Sequence, residues 1–178
     1  MWSALSQLSR FIASPKVTKH RLFVWLPAGT VPDQQLIVFA RDDDYTFGIL
    51  QSRVHELWAR GTGTQLREVE SGFRYTPTTT LETFPFPHPA EEQRQTIAVL
   101  ARRLVELRDS WLNPPGLSGD ELAPRTLTNL YNERPTWLAN AHADLDLAVL
   151  DAYAWPPDLD DNEVLERLLE LNLQRSTA

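Results

Sequence analysis

The chain has 178 residues, 42% of them hydrophobic and 23% charged, which is the size of one compact domain or two small ones and the composition of a globular protein with a real core. It has no cysteine, four well-separated histidines (20, 55, 88 and 142) and no apolar run approaching the roughly 18 residues of a membrane span, so disulfides, thiolate catalysis, cysteine-based metal sites and a membrane-crossing helix are excluded. The net charge of −7 is uneven: residues 1–89 hold nine Lys/Arg against eight Asp/Glu, and residues 90–178 hold eight against sixteen, so a basic first half suits phosphate and an acidic second half does not.

The opening Met1-Trp-Ser-Ala-Leu-Ser-Gln-Leu8 lacks the basic start and continuous apolar stretch of a secretory signal, which points to the cytoplasm. Arg10–Ala13 is a short apolar run ended by Ser14-Pro15. Arg21–Leu26 is strand-like and stops at Pro27-Ala-Gly29, and Gln35–Ala40 is a further strand candidate ended by Arg41-Asp-Asp-Asp44. From Tyr45 the period changes. Phe47, Leu50, Val54, Leu57 and Trp58 fall at helical spacing, predicting one helix over 46–60 that stops at Gly61-Thr-Gly63, with Asp44 as its cap. Residues 64–87 are irregular and rich in Thr and Pro. They end in Phe84-Pro-Phe-Pro87, whose prolines favour an extended, protease-accessible junction.

Beyond it the pattern is helical. Pro89, Glu91 and Glu92 mark a helix start, and Ile97, Leu100, Leu104, Leu107 and Trp111 form its apolar stripe up to Asn113-Pro-Pro-Gly116. A short stretch follows at 126–132. Thr136 is placed to cap a helix carrying Leu138, Leu145, Val149 and Ala152, and Asp160 with Glu163 reads as a capping box opening a last helix. The fold class is therefore α+β: a small sheet with one packed helix over 1–87, then an all-α segment over 88–178.

No catalytic constellation emerges. Asn113-Pro-Pro-Gly116 resembles the Asn-Pro-Pro-aromatic turn that grips a flipped adenine, but Gly116 offers no ring to stack on the base and a helix precedes the turn, so it reads as a helix stop. The side chains of Asp42-Asp43-Asp44 diverge, which suits a turn better than a cation site. His55 reads as a structural hydrogen bond or a phosphate contact rather than a catalytic group, His142 reads as a packed helix histidine, and no glycine loop cradles phosphate. Two segments carry a positive signal. Lys16, Lys19, His20 and Arg21, with Arg53 on the following helix, are residue types that position a phosphate backbone. Arg67, Glu68, Glu70, Arg74 and Tyr75 are side chains able to read base edges, and a solvated loop remains the alternative on composition alone.

Four long strings carry a resemblance. They are Phe23-Val-Trp-Leu-Pro27, the run from Val38 to Trp58, the run from Phe73 to Pro87, and Arg125-Thr-Leu-Thr-Asn-Leu-Tyr-Asn-Glu-Arg-Pro-Thr-Trp-Leu138. In this order they resemble the C-terminal part of MmeI-like (type IIL) adenine-specific DNA methyltransferases of restriction-modification systems. The resemblance implies that 1–87 is the latter part of a DNA target recognition domain and 88–178 a helical C-terminal domain. It implies double-stranded DNA as partner, with a methyltransferase subunit or domain beside it. The S-adenosylmethionine pocket and the catalytic turn of that family belong to a preceding domain, so this chain is expected to hold no cofactor, metal or catalytic residue of its own. A truncated gene, a split enzyme and a docking module for a separate methyltransferase subunit are the arrangements compatible with that reading.

Overall fold

The computed structural model describes residues 5–65 and 73–176. Three strands form an antiparallel sheet in the order β3 (Val24–Pro27), β1 (Arg10–Pro15), β4 (Leu36–Phe39), with Ile12 opposite both Trp25 and Phe39. The central strand is buried on both faces. Phe11 and Ala13 meet Leu5, Leu8 and Leu26, while Ile12 faces Phe23, Phe39 and Phe47. A second, very short sheet pairs β2 (Val17–Thr18) with β6 (Phe73–Arg74), and β6 with β5 (Thr64–Gln65). Lys16 joins the two sheets through its backbone, since its N–H donates to Gln35 O at 2.8 Å and its carbonyl accepts from Tyr75 N–H at 2.9 Å.

The expected strand over 21–26 begins only at Val24. The reason is local: Phe23 N–H donates to Gln51 Oε1 at 3.1 Å and Phe23 O accepts from Arg108 Nη2 at 3.0 Å, so side chains replace the ladder there. The expected single helix is two, α1 (Asp44–Gln51) and α2 (Arg53–Thr62), broken at Ser52 with extended ψ. Ser52 Oγ donates to Ile49 O at 2.7 Å and accepts from His55 N–H, ending one helix and capping the next. The helical spacing runs across the break because Ile49, Val54 and Trp58 all face one core. The cap of α1 is Asp43, which accepts from Thr46 N–H at 2.7 Å, one residue before the expected position.

Four helices follow α3 (Pro77–Thr80): α4 (Glu91–Leu112), α5 (Leu127–Glu133), α6 (Thr136–Ala152) and α7 (Asp161–Ser176). The capping box at Asp160 and Glu163 is present, each side chain accepting the other's backbone N–H. Thr136 is the first helical residue of α6, and Pro135 takes the cap position without a side-chain bond. Helix α4 lies between α1 and α6, and α2 packs on α7. One hydrophobic cluster therefore joins both halves of the chain, with Tyr45, Val54, Trp58 and Phe84 meeting Ile97, Leu104, Leu145 and Leu168.

The 84–89 stretch is extended, as its prolines require, but it is not open. Phe84, Pro85 and Pro87 are buried. Its free carbonyls are taken by the helical half: Tyr153 OH donates to Pro85 O at 3.0 Å and Arg175 Nη1 to Phe86 O at 2.8 Å. Asn172 Nδ2 holds Thr83 O at 2.6 Å just upstream. A proline-rich segment with no ladder thus has its carbonyls held by side chains, so the junction is extended, as expected, and clamped.

Two outcomes follow from this packing. A Cβ on Gly48 would stand 2.7 Å from Ile97 Cγ2 and 3.2 Å from Ala101 Cβ, so Gly48→Ala should wedge α1 from α4 and lower unfolding free energy by about 1–3 kcal/mol in a denaturant titration. Under limited digestion with a protease of broad specificity, residues 84–89 should survive the first cuts; an initial cleavage there would show that the clamp opens readily.

Candidate nucleic-acid interface

The small sheet carries the candidate interface, and two buried groups hold it in place. Arg21 is only 4% exposed. Its guanidinium donates to Ser14 Oγ at 3.1 Å, to Pro15 O and to Phe73 O at 3.0 Å, and lies 4.7 Å above the Phe73 ring. Burial lowers its pKa to about 10, which leaves it charged at neutral pH. Tyr75, 1% exposed, bonds to His55 Nε2 at 3.0 Å, and His55 Nδ1 lies 2.9 Å from Leu50 O. A carbonyl only accepts, so Nδ1 carries the proton and Nε2 accepts from the Tyr75 hydroxyl. This chain of bonds ties β6 to both α1 and α2.

The predicted residues therefore divide. Lys16, Lys19 and Arg74 are exposed on or beside the sheet, and Arg74 lies opposite Val17 in the register. Among the described residues Lys16 and Arg74 have no side-chain partner, while Lys19 Nζ donates to the neutral Asn132 Oδ1 at 3.0 Å. His20 Nε2 donates to the same oxygen at 2.8 Å. Arg53 is turned away from this surface to α7, with Nε 2.7 Å from Asp161 Oδ1 and Nη2 3.1 Å from Leu159 O. Arg21 and Tyr75 are corrected from contact residues to internal supports, because both are buried and bonded inside the protein, Arg21 through Nη1 and Nη2 with its buried Nε left without a partner among the described residues. Arg67, Glu68 and Glu70 lie outside the described residues.

The bland readings of the other motifs gain a physical basis. Asp44 bridges Arg10 at 2.7 Å and Arg102 at 3.0 Å, so the aspartate triplet caps and cross-links. Asn113 ends α4, and Gly116 follows with φ of +88°. His142 Nε2 meets Tyr131 OH at 2.8 Å. Sequence reasoning missed Gln51, Arg108 and Asp146. Arg108 had a signal, since it extends the Ile97, Ala101, Leu104 stripe by one turn and so had to be buried with partners.

Between the sheet's turn and the helical half lies a cleft of about 370 Å³, lined by His20, Arg53, Arg60, Arg134, His142 and Asp146 among others. A second, of about 620 Å³, opens beside the start of α1 near Arg41, His88 and Arg94. Among the described residues no group of acids and histidines could hold a metal ion, and no helix is long and apolar enough to cross a membrane.

Comparison with known proteins agrees with this geometry. Residues 9–88 match the family model described as MmeI, target recognition domain. A DNA methyltransferase A of Bacillus subtilis (strain 168) is 28% identical over 167 residues, covering 90% of this chain and 17% of its own length. The type IIL restriction-modification enzyme MmeI, solved in complex with DNA, superposes with a TM-score of 0.79 at 23% identity, covering 96% of this chain and 22% of its own. The chain thus spans about a fifth of the length of these relatives. Residues 9–88 are similar to the MmeI target recognition domain, and the fold of the chain is that of the matching part of MmeI.

The buried groups make a pH signature. Burial lowers the pKa of His55 to about 3 and of His142 to about 4, so both stay neutral when folded and charge when unfolded; their stabilisation is present above pH 6.5 and is lost as pH falls toward those values. Burial raises Asp146 to about 6, against the opposing pull of the Arg53 N–H, so its share runs the other way: full below about 3.8 and lost as pH rises through 6. Near pH 5 these three groups leave a net excess of about one proton on the unfolded chain, about 1.4 kcal/mol per pH unit. Asp146→Asn should steepen the fall of stability between pH 6 and 4 toward two protons, read from denaturation midpoints across that range; an unchanged slope would show that Asp146 titrates normally.

Proposed function

We propose that this chain supplies the DNA target-recognition and C-terminal part of a site-specific adenine methyltransferase of a restriction-modification system and is catalytically incomplete by itself. The match of residues 9–88 to the MmeI target recognition domain carries the reading. The surface chemistry supports it: Lys16, Lys19 and Arg74 present positive charge on the small sheet, while the buried supports Arg21 and Tyr75 hold that sheet rigid. In this role Lys16 and Lys19 position the phosphate backbone, and Arg74, with Arg67, Glu68 and Glu70, reads base edges. Double-stranded DNA is the partner. S-adenosylmethionine and the methyl-transfer residues belong to a methyltransferase domain or subunit working beside this chain.

The test is the salt dependence of binding to a short duplex. Each neutralised phosphate adds about 0.9 to the slope of log affinity against log salt, so replacing Lys16 and Lys19 together by Ala should flatten that slope by roughly 2 units. Arg21→Ala should act differently, removing a charged donor from buried carbonyls and destabilising the fold by about 2 kcal/mol or more. A double variant with the parent slope would remove Lys16, Lys19 and the turn they stand on from the phosphate interface.

A further inference from the structure

We propose that the cleft between the small sheet and the helical half is a phosphate site, with Arg134 as its principal cation, so that the helical segment takes part in holding the DNA backbone. The inference rests on the functional reading above and extends it to a part of the chain outside the matched residues 9–88.

Among the described residues lining the cleft, Arg134 is the cation whose side chain is engaged by no other. Of its carboxylates, Glu56 is held by Arg60 at 2.6 Å, Asp161 by Arg53 at 2.7 Å, and Asp146 accepts the Arg53 backbone N–H at 2.7 Å. Arg21 is fixed to Pro15, Ser14 and Phe73. Arg134 is exposed, has no hydrogen-bond or ion-pair partner among the described residues, and its charge acts on His142, Tyr131 and Asp146 inside the cleft. An unpaired guanidinium at the mouth of a cleft whose acids are already engaged is suited to an anion, and its planar fork matches phosphate oxygens.

The backbone points the same way. Arg134 sits at the C-cap of α5 with φ of 42° and ψ of 62°, a left-handed conformation that favours Gly or Asn and is strained for a long side chain. Pro135 follows and fixes the exit of the chain. Strain of this kind persists where a side chain's position is of use. The site is also continuous with the basic turn: Lys19 and His20 both donate to Asn132, two residues before Arg134, and His20 lines the cleft. A phosphate there would meet Arg134 from the helical half and Lys19 and His20 from the recognition half.

The test compares Arg134→Gly and Arg134→Lys with the parent chain in three measurements: thermal melting, the salt slope for a short duplex, and ring-proton NMR signals of His20 and His142 during titration with inorganic phosphate. Glycine suits the left-handed position, so Arg134→Gly should melt no lower than the parent while its salt slope falls by about 0.9 and its histidine signals cease to respond to phosphate. Arg134→Lys should keep the slope. A parent-like slope in Arg134→Gly overturns the DNA role of the cleft, and if inorganic phosphate still shifts the parent histidines the site serves free phosphate instead. If the parent chain binds no duplex at all, the functional reading fails separately, and histidine signals indifferent to phosphate would then overturn the cleft as well.

Discussion

The orientation of the recognition sheet depends on the contact between α1 and α4. Only a glycine at position 48 lets the helices approach until Ile97 fills the space a Cβ would take. From there the same face of α4 continues through Ala101 and Leu104 to Arg108, whose guanidinium reaches Phe23 O at 3.0 Å and Gln51 Oε1 at 3.3 Å. Gln51 in turn accepts Phe23 N–H. The close approach therefore brings a charged donor to the one stretch before β3 where the sheet ladder is absent, and a dry helix–helix contact fixes a polar junction two turns away. A buried charge met only by neutral acceptors, with Nε left without a partner among the described residues, is expensive to desolvate, and removing it would strand Phe23 O as well.

Cations in the recognition half fall into two kinds, and composition does not separate them. Arg10 stacks 3.8 Å over Trp25 while pairing with Asp44, Arg21 joins the two sheets, Arg53 holds α7, and Arg60 pairs with Glu56. All four are arginines, whose fork can meet several acceptors at once. Two of the cations left in solvent are lysines, 16 and 19, with Arg74 on the pairing strand. A basic balance counted along the chain thus overstates the charge a polyanion meets, since much of it is internal reinforcement. It also shows why a rigid interface can be built on strands only two residues long: Arg21 and the His55–Tyr75 bond supply the fixation that so short a ladder lacks.

Much of the fold was legible because its signals are local. The runs at Arg10 and Gln35, the period change after Tyr45, the capping box at Asp160 and the helix stop at Asn113 each rest on a few neighbouring residues. What escaped was long-range. Ser52 is a capping residue type, but the helical spacing running across it hides the break, which is also fixed by Asp146 accepting the Arg53 N–H from 93 residues away. The Phe84–Pro87 stretch has the composition of a linker and becomes a clamped strand only because Tyr153 and Arg175 arrive on later helices. At the candidate interface, residue type identified Lys16, Lys19 and Arg74 by charge, but could not show that Arg21 and Tyr75 point inward, since an arginine beside a carbonyl cluster reads in sequence like one beside phosphate.

The acidity of the helical half bears on the same interface. At physiological salt an exposed charge acts over roughly 8 Å, so the sixteen acids of residues 90–178 do not cancel Lys16 or Arg74 across the molecule, and each face keeps its own sign. A polyanion approaching the acidic helices meets like charge and is turned away, whereas the small sheet and the turn beside it remain attractive. Orientation thus comes from repulsion as much as from attraction, and a few exposed cations suffice when the alternative faces are negative. The seam between the halves is where this division is weakest, because its acids are engaged with Arg53 and Arg60 while Arg134 is not. Across that seam the clamped 84–89 segment ties the two halves together through Tyr153 and Arg175.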